Sequence, residues 1–205
     1  MTSRIVLAYF GDQQSAASIA GATDRGDAIA VALDLGDGIP LNELRDGALA
    51  AGALRCHALD VREEYVRDAI LPALRAYTLT DAAPVVNALA ASFVTEKLRE
   101  MAEFEQATMI EPARRNYALA PQARRPTAGD AAELDIRFAD GVPFAVNEIQ
   151  MSLIETMDCI HTISGIPAIE VLHLAYQQLD GSGEGQVVLR LQSGRCTVTS
   201  TAVVF

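Results

Sequence analysis

The chain has 205 residues, of which 50% are hydrophobic and 21% are charged, a balance that is typical of a folded protein and excludes general disorder. Its net charge of −11 argues against nucleic acid or an anionic membrane surface as a partner. The chain has three cysteines, and they include no closely spaced pair, which favours reduced thiols and predicts a cytoplasmic protein. No apolar run approaches the roughly 20 residues of a membrane span, and no signal peptide is expected.

The first half of the chain alternates strand-like and helix-like segments. Apolar composition predicts strands at 4–9, 27–35, 55–60 and 107–110. Helical spacing of apolar residues predicts helices at 16–22, 41–51, 63–76 and 84–103. Strands and helices that alternate at this spacing form βαβ units with a parallel sheet and right-handed crossovers. We therefore predict an α/β fold, with a Rossmann-like parallel sheet in a domain that covers residues 1–125.

The composition changes between residues 111 and 130, where three prolines and four arginines predict a boundary or linker. Beyond it, strand patterns at 133–138 and 142–146 flank a turn at Asp140 and Gly141 and predict an antiparallel hairpin. Helices are predicted at 152–163 and 168–179. A final hairpin is predicted from 186–191 and 196–204, with its turn at Ser193 and Gly194. Residues 131–205 are therefore predicted to form a small α+β unit.

The stretch at residues 4–15, RIVLAYFGDQQS, is an apolar strand that leads into a short polar loop and then a helix. Many nucleotide-binding α/β domains begin in this way, because the loop amides and the helix N-terminus face the ligand. Here the loop FGDQQSA contains one glycine, no lysine and an acidic residue. The order of elements is that of a phosphate-binding loop, but the side chains are not.

Several short motifs occur in a defined order along the chain. They are Leu7-Ala8-Tyr9 before the loop, Asp34-Leu35-Gly36 after the second strand, Cys56-His57-Ala58-Leu59-Asp60 followed by Glu63-Glu64-Tyr65, Asn87-Ala88-Leu89-Ala90 followed by Glu96-Lys97-Leu98, Tyr117-Ala118-Leu119-Ala120-Pro121, Asp140-Gly141-Val142-Pro143, and Ser193-Gly194-Arg195-Cys196-Thr197-Val198. In this order they resemble argininosuccinate synthase, an N-type ATP pyrophosphatase that joins citrulline to aspartate and cleaves ATP to AMP and pyrophosphate. The resemblance implies an adenine nucleotide alpha hydrolase-like fold.

The resemblance also implies where ATP would bind. It places a degenerate ATP site at Ala8, Tyr9, Gly11, Ser15 and Leu33. The alternative is a structural strand and turn that no longer bind nucleotide, and this interpretation is preferred.

A second candidate site is an anion or substrate site at Arg114 and Arg115, because guanidinium groups suit phosphate and carboxylate. The alternative for this arginine pair is solvated linker charge, which is again preferred.

Departures from the family pattern predict the loss of its reaction. Where the family has SGGLDTS, Phe10 replaces the first serine, Asp12 the second glycine and Gln14 the aspartate. Two like charges about 4 Å apart repel by roughly 4 kcal/mol at an intermediate dielectric, so Asp12 opposes phosphate. The family's substrate loop is reduced to the six residues 111–116, and Ala91 stands at a family arginine. Members of the family are also longer than this chain.

These observations predict a pseudoenzyme with no catalytic residue, no metal and no cofactor, which acts as a binding or partner subunit. Its protein partner would be a full-length synthase or an unrelated enzyme. The alternative is an ATP-dependent carbon–nitrogen ligase for another small amino acid or carboxylate. In that alternative, ATP and Mg²⁺ would bind with Ser15, Arg114 and Arg115 holding phosphate.

The remaining polar candidates are interpreted as structural. Neither metal-ligand spacing nor an orienting base is found at Cys56-His57, at Cys159 with His161, or at His173. An acidic helix start explains Asp60, Glu63 and Glu64.

The sequence also predicts a homodimer built on residues 131–205, with the loop at 10–15 outside the interface. Two apolar surfaces motivate this prediction: the C-terminal residues 202–205, and Val171, Leu172, Ala175 and Leu179 on the last helix.

Overall fold

The computed structural model describes residues 3–35, 39–76, 82–113, 132–166, 168–179, 183–192 and 195–202. The chain divides into two compact units. Unit 1 comprises Met1–Tyr65 and Val85–Pro121, and unit 2 comprises Val66–Pro84 and Gln122–Phe205. The assignment of Val66–Pro84 to unit 2 could not be read from the order of predicted elements, and domain limits at 1–125 and 131–205 stay predictions.

Unit 1 is built on a four-stranded parallel sheet. Its strands are β1 (Arg4–Ala8), β2 (Asp27–Asp34), β3 (Arg55–Asp60) and β4 (Thr108–Met109), in the order β3-β2-β1-β4. The six consecutive residues from Ala28 to Leu33 are all buried, as expected of a central strand with both faces covered. The predicted α/β fold with a Rossmann-like parallel sheet is confirmed.

The helices of the first half of the chain lie close to their predicted positions. They are α1 (Gln13–Thr23), α2 (Leu41–Ala50), α3 (Arg62–Tyr65), α4 (Leu71–Ala76) and α5 (Ala82–Glu105), of which α4 belongs to unit 2. The single helix predicted at 63–76 is instead interrupted by a π-helical segment, Val66–Ile70, between α3 and α4. Apolar spacing does not distinguish these forms, because a π-helical turn differs from an α-helical turn in hydrogen bonding rather than in composition.

Alternating residues of the strands form hydrophobic layers on the two faces of the sheet. One layer contains Ile5 and Leu7 of β1 and Tyr9, the residue after β1, in a cluster with Ile19 of α1 and Leu44 of α2. On α5, Phe93 is buried and its ring lies 5.2 Å from that of Tyr65.

A buried carboxylate connects several elements of unit 1 at the amino ends of its strands. Glu105, the last residue of α5, is only 4% exposed. It forms an ion pair with Arg55 and a hydrogen bond with His57, whose Nε2 lies 2.7 Å from Oε1. Arg4 donates a hydrogen bond of 3.1 Å to the backbone carbonyl of Glu105, and its guanidinium lies 3.9 Å from the Glu105 carboxylate. One side chain thus joins the starts of β1 and β3 to the end of the helix that precedes β4.

We predict that Glu105→Gln lowers the free energy of unfolding by about 2 kcal/mol, because the buried carboxylate loses its charge-assisted hydrogen bonds to Arg55 and His57, which are themselves partly exposed. Chemical denaturation measures the change. Glu103→Gln is the matched control, since Glu103 is exposed on the same helix. Equal losses in the two variants would contradict a special role for Glu105.

Unit 2 contains a five-stranded antiparallel sheet. Its strands are β5 (Ala132–Ala139), β6 (Val142–Val146), β7 (Ile149–Gln150), β8 (Gly185–Gln192) and β9 (Arg195–Ala202), in the order β7-β6-β5-β8-β9. The helices α6 (Leu153–Ser164) and α7 (Ala168–Tyr176) lie in the same unit as α4. Both predicted hairpins are confirmed, although Ser193, Gly194 and residues 203–205 lie outside the described residues.

The predicted apolar surface of the last helix is mostly absent. Val171, Leu172 and Ala175 are buried within the chain, and Leu179 is partly buried. The ring of Phe138 on β5 lies 5.1 Å from that of Tyr176 on α7. The expectation that α7 exposes these side chains for a partner is therefore wrong, because α7 packs against α4, α6 and the sheet of the same unit.

In the described part of the chain, no helix combines the length and the apolar character needed to cross a bilayer.

A capping box begins α6. The Ser152 hydroxyl accepts a hydrogen bond from the Glu155 amide, and the Glu155 carboxylate accepts one from the Ser152 amide at 2.8 Å. Hydrogen bonds from Ser152 lower the pKa of Glu155, and the bond from its backbone amide contributes more than the bond from its hydroxyl. A lowered folded-state pKa adds stability above the unfolded value, and this stability is lost as the pH falls through the folded value.

We therefore predict that Glu155→Gln has a lower melting temperature than the parent at neutral pH, and that the difference shrinks below about pH 4. Thermal unfolding as a function of pH measures this difference, with Glu133→Gln, at an exposed position of β5, as the control. A difference that does not depend on pH would contradict this account.

Candidate functional site

The sheet of unit 1 has a switch point between β1 and β4. Successive strands run outward from β1 to β3, and the chain then returns to place β4 on the other side of β1. In open α/β sheets, ligands bind outside the carboxyl ends of the strands at such a point. A shallow depression lies there, lined by Ala8, Phe10, Asp12, Gln14, Ser15, Ser18 and Ala113.

Asp12 is the N-cap of α1. Its backbone is extended, and its Oδ1 accepts hydrogen bonds from the Ser15 amide at 2.7 Å and from the Ser15 hydroxyl at 2.8 Å. An N-cap carboxylate satisfies an amide that the helix cannot pair, and it interacts favourably with the positive end of the helix dipole. The Ser15 amide and the positive end of the helix dipole, which would attract an anion, thus already interact with the Asp12 carboxylate.

The Ser15 side chain closes the loop from the other side. It is buried, and its Oγ accepts a hydrogen bond from the Phe10 amide at 3.2 Å. Two backbone N–H groups of the loop, those of Phe10 and Ser15, therefore have partners within the loop. A bound phosphate would have to displace these bonds rather than fill vacant positions.

Gly11 fixes the path of the loop over α2. Its φ of +77° lies in the left-handed region, and a Cβ atom would stand 3.0 Å from Cδ2 of Leu44. Glycine is the residue that adopts this conformation at no steric cost. The one glycine retained in the loop thus has a conformational reason to be there.

The five residues predicted for the ATP site do not all reach the depression. Ala8 and Ser15 line it. Tyr9 belongs instead to the core on the α2 face, where its hydroxyl would lie 2.5 Å from a Cβ atom added to Gly47. Leu33 is buried within β2, and neither it nor Gly11 is among the lining residues. A role for these five residues in ATP binding stays a prediction.

The predicted anion site at Arg114 and Arg115 lies outside the described residues, as do Arg124, Arg125 and residues 117–121.

A charged cluster that sequence reasoning missed lies at the carboxyl ends of β2 and β3. The guanidinium of Arg62 binds both carboxylate oxygens of Asp60, at 3.0 and 2.8 Å, and lies 3.4 Å from Asp34. Its hydrogen bonds hold the pKa of Asp60 below the usual value. The sequence feature that could have predicted this cluster is the aspartate at the end of each of two neighbouring parallel strands. These strand ends too carry an internal ion pair.

A second missed contact joins α3 to α5. The Lys97 ammonium lies 2.5 Å from Glu64 and 2.9 Å from Glu100. It also lies 5.6 Å above the ring of Phe93. Lys97 is therefore engaged in packing these helices rather than presented to a ligand.

The cysteines have high pKa values. Burial raises the pKa of Cys56 and Cys159, and it raises that of Cys196 to about 11. A thiol with a raised pKa carries little thiolate at neutral pH and is a poor nucleophile. Among the described residues, no group of three or more His, Cys, Asp or Glu side chains could hold a metal ion.

Comparison with known families agrees with the fold of unit 1 and with the motifs that lie between residues 4 and 113. The profile of the arginosuccinate synthase N-terminal HUP domain matches residues 4–113, more than half of the chain. The chain belongs to the argininosuccinate synthase family. The predicted resemblance is confirmed, and the matched region contains the four parallel strands, the Asp12 loop and the Arg62 cluster.

Curated relatives in the argininosuccinate synthase family match the same half of the chain. The argininosuccinate synthase of Streptococcus suis (strain 05ZYH33) is 39% identical over 108 residues, which are 52% of this chain and 27% of the relative. Those of Shouchella clausii and of a Geobacillus strain are each 38% identical over 109 residues, again 52% of this chain and 27% of the relative. The matched region thus spans about a quarter of these relatives.

We predict that Asp12→Ala lowers the free energy of unfolding by about 1 kcal/mol through loss of the N-cap, whereas Asp12→Asn, which can still cap, stays close to the parent. Urea denaturation monitored by circular dichroism measures the difference. Asp24→Ala, at the C-terminal end of the same helix, is the control. If Asp12→Ala were as stable as Asp12→Asn, the capping bonds would have no energetic role.

Proposed function

We propose that this chain is an argininosuccinate-synthase-like protein without the citrulline–aspartate ligase reaction, and that it acts as a binding or partner subunit. The observation that supports this proposal is the pair of hydrogen bonds from Ser15 to the Asp12 carboxylate. The negative charge of Asp12 is held at the N-terminus of α1, and the family resemblance implies that this loop would face phosphate.

The electrostatic argument follows from the position of this charge. A helix N-terminus attracts an anion through its unpaired N–H groups and its dipole. Asp12 is an anion attached to that N-terminus, so a nucleotide phosphate would meet repulsion as well as competition for the Ser15 amide. Phe10 adds bulk beside it, and Gln14 lacks the carboxylate of the family aspartate.

The substrate side of the family site supports the same proposal from the sequence. The family resemblance implies a substrate loop where this chain has only residues 111–116, and an arginine where it has Ala91. A guanidinium binds a carboxylate through two parallel hydrogen bonds, which an alanine cannot make. Restoring the nucleotide loop alone would therefore leave the substrate contacts incomplete.

Calorimetric titration with ATP and Mg²⁺ tests the nucleotide part of the proposal. The parent protein is expected to give no binding heat at millimolar ATP. Asp12→Asn removes the charge and retains a capping side chain, so its affinity for ATP should be at least tenfold higher, about 1.4 kcal/mol. Asp24→Asn makes the same charge change at the other end of α1 and should behave as the parent does.

Saturable binding of ATP by the parent would contradict the proposal and favour an ATP-dependent ligase that acts on another small carboxylate. If Asp12→Asn and Asp24→Asn bind equally weakly, the charge of Asp12 is not what excludes the nucleotide.

A direct assay tests the reaction. Pyrophosphate release from ATP, citrulline and aspartate is expected to stay at background for the parent protein. It should also stay at background for the triple variant Phe10→Ser, Asp12→Gly and Gln14→Asp. Release by the parent at the rate of a full-length synthase, measured in parallel, would overturn the proposal, and release by the triple variant would show that the loop alone removed the activity.

We also propose that the chain acts in the cytoplasm and forms a homodimer through residues 131–205. The burial of Val171, Leu172 and Ala175 removes one reason for this dimer, so the proposal now depends on the sheet of unit 2 rather than on α7.

A further inference from the structure

The two edges of the sheet in unit 2 differ greatly in length. The edge strand β7 has two residues, whereas β9 at the opposite edge has eight. Within the described residues, β9 pairs with β8 on one side and with no strand on the other. A long edge strand presents a row of backbone N–H and C=O groups that can pair with another strand, and a very short one does not.

The composition of β9 favours such pairing. Between Cys196 and Ala202 the strand has no charged residue and no proline, and four of its residues are β-branched: Thr197, Val198, Thr199 and Thr201. Its residues are exposed or partly exposed along the whole length. Among the features that protect edge strands, β9 has one, a bulge.

The bulge sets the register in which β9 could pair with a second copy of itself. Val188 of β8 lies opposite Ser200, and the next residue, Leu189, lies opposite Val198, so Thr199 is an extra residue in β9. Side chains of a regular strand alternate between the two faces of a sheet. An extra residue reverses this alternation, so odd and even positions exchange faces at Thr199.

The pairing with β8 identifies those faces. Cys196 lies opposite buried Leu191, on the face that forms the core. Thr201, opposite buried Val187, lies on the same face. Thr197 and Ser200 lie opposite Arg190 and Val188, on the other face, as do Arg195 and Ala202 opposite Gln192 and Gln186.

Two antiparallel strands must place directly opposite residues on the same face. If β9 pairs with its copy so that Thr197 lies opposite the partner's Ser200, then Cys196 lies opposite the partner's Thr201 and Arg195 opposite the partner's Ala202. Each of these pairs lies on one face, and the bulges meet at the centre. A register centred on Val198 would instead place Cys196 opposite the partner's Ser200, which faces the other way.

We propose that β9 is the interaction surface of this chain and that its partner is β9 of a second copy, paired antiparallel in this register around a two-fold axis. The contact joins two five-stranded sheets into one of ten strands, and it is closed, because the same strand serves on both sides. The only charged residue of β9, Arg195, meets the partner's Ala202, so like charges do not oppose each other. The proposal specifies the homodimer proposed above and does not depend on nucleotide binding.

Paired charge substitutions test the register. Thr197→Lys with Ser200→Lys and Thr197→Glu with Ser200→Glu both place like charges opposite each other, whereas Thr197→Lys with Ser200→Glu places opposite charges there. Sedimentation equilibrium should give twice the monomer mass of 21.9 kDa for the parent and for the mixed variant. Both like-charge variants should dissociate at least tenfold more readily, whichever way the net charge moves.

A parent protein that stays monomeric on concentration would overturn the proposal. So would a dimer that all three variants leave unchanged, or one that the mixed variant loses together with the like-charge variants. Circular dichroism shows whether each variant is folded.

A crosslink provides a second measurement that does not require the like-charge variants to fold. Thr201→Cys places a thiol opposite the partner's Cys196, so mild oxidation should give a covalent dimer on a non-reducing gel. Ser200→Cys places a thiol on the other face and should give at least tenfold less dimer. Equal crosslinking by the two variants would overturn the register.

Discussion

The ion pairs of Glu105 join the elements on which unit 1 depends. A carboxylate that is 4% exposed is costly to bury unless it is paired, and its partners Arg4 and Arg55 come from the starts of two strands that are not neighbours in the sheet. Because β2 lies between β1 and β3, these contacts fix the spacing of three strands at their amino ends. The carboxyl ends of the same strands then carry the loop and the charged cluster of the candidate site.

At those carboxyl ends, two charged groups that could interact with a ligand are paired within the chain. Asp12 accepts hydrogen bonds from Ser15, and Arg62 is held by Asp60 and Asp34. The family scaffold can therefore tolerate different side chains at the carboxyl ends of its strands, because Glu105 stabilises the sheet at their amino ends. The family membership of the chain follows from the scaffold, whereas the proposed loss of the reaction follows from the side chains at the site.

The sequence predicted the parallel sheet and both hairpins because their signals are local. The apolar run of β2 and the Asp140-Gly141 turn can each be recognised from a few neighbouring residues in the sequence. The sequence also showed that Asp12 stands where the family has a glycine, because this comparison involves only one loop. Its capping role could not be predicted in the same way, since a carboxylate in a loop does not reveal which amide it accepts from.

Long-range contacts account for what the sequence did not predict. The pairing of Glu105 with Arg55 and His57 joins residues 50 and 48 positions apart, and no local pattern specifies it. The apolar face of α7 was correctly identified as needing cover, but the cover comes from its own unit, where α7 packs against α4 and α6 and Tyr176 contacts Phe138 of the sheet. The π-helical turn has no compositional signature at all.

The most direct test of the central claim is to observe the Ser15 amide in solution. In ¹⁵N-resolved NMR spectra, the account predicts that this resonance follows the ionisation of Asp12 as the pH is lowered, and that millimolar ATP with Mg²⁺ leaves it and the Phe10 resonance unchanged. A saturable shift of both amides on addition of ATP, with no response to the ionisation of Asp12, would contradict it.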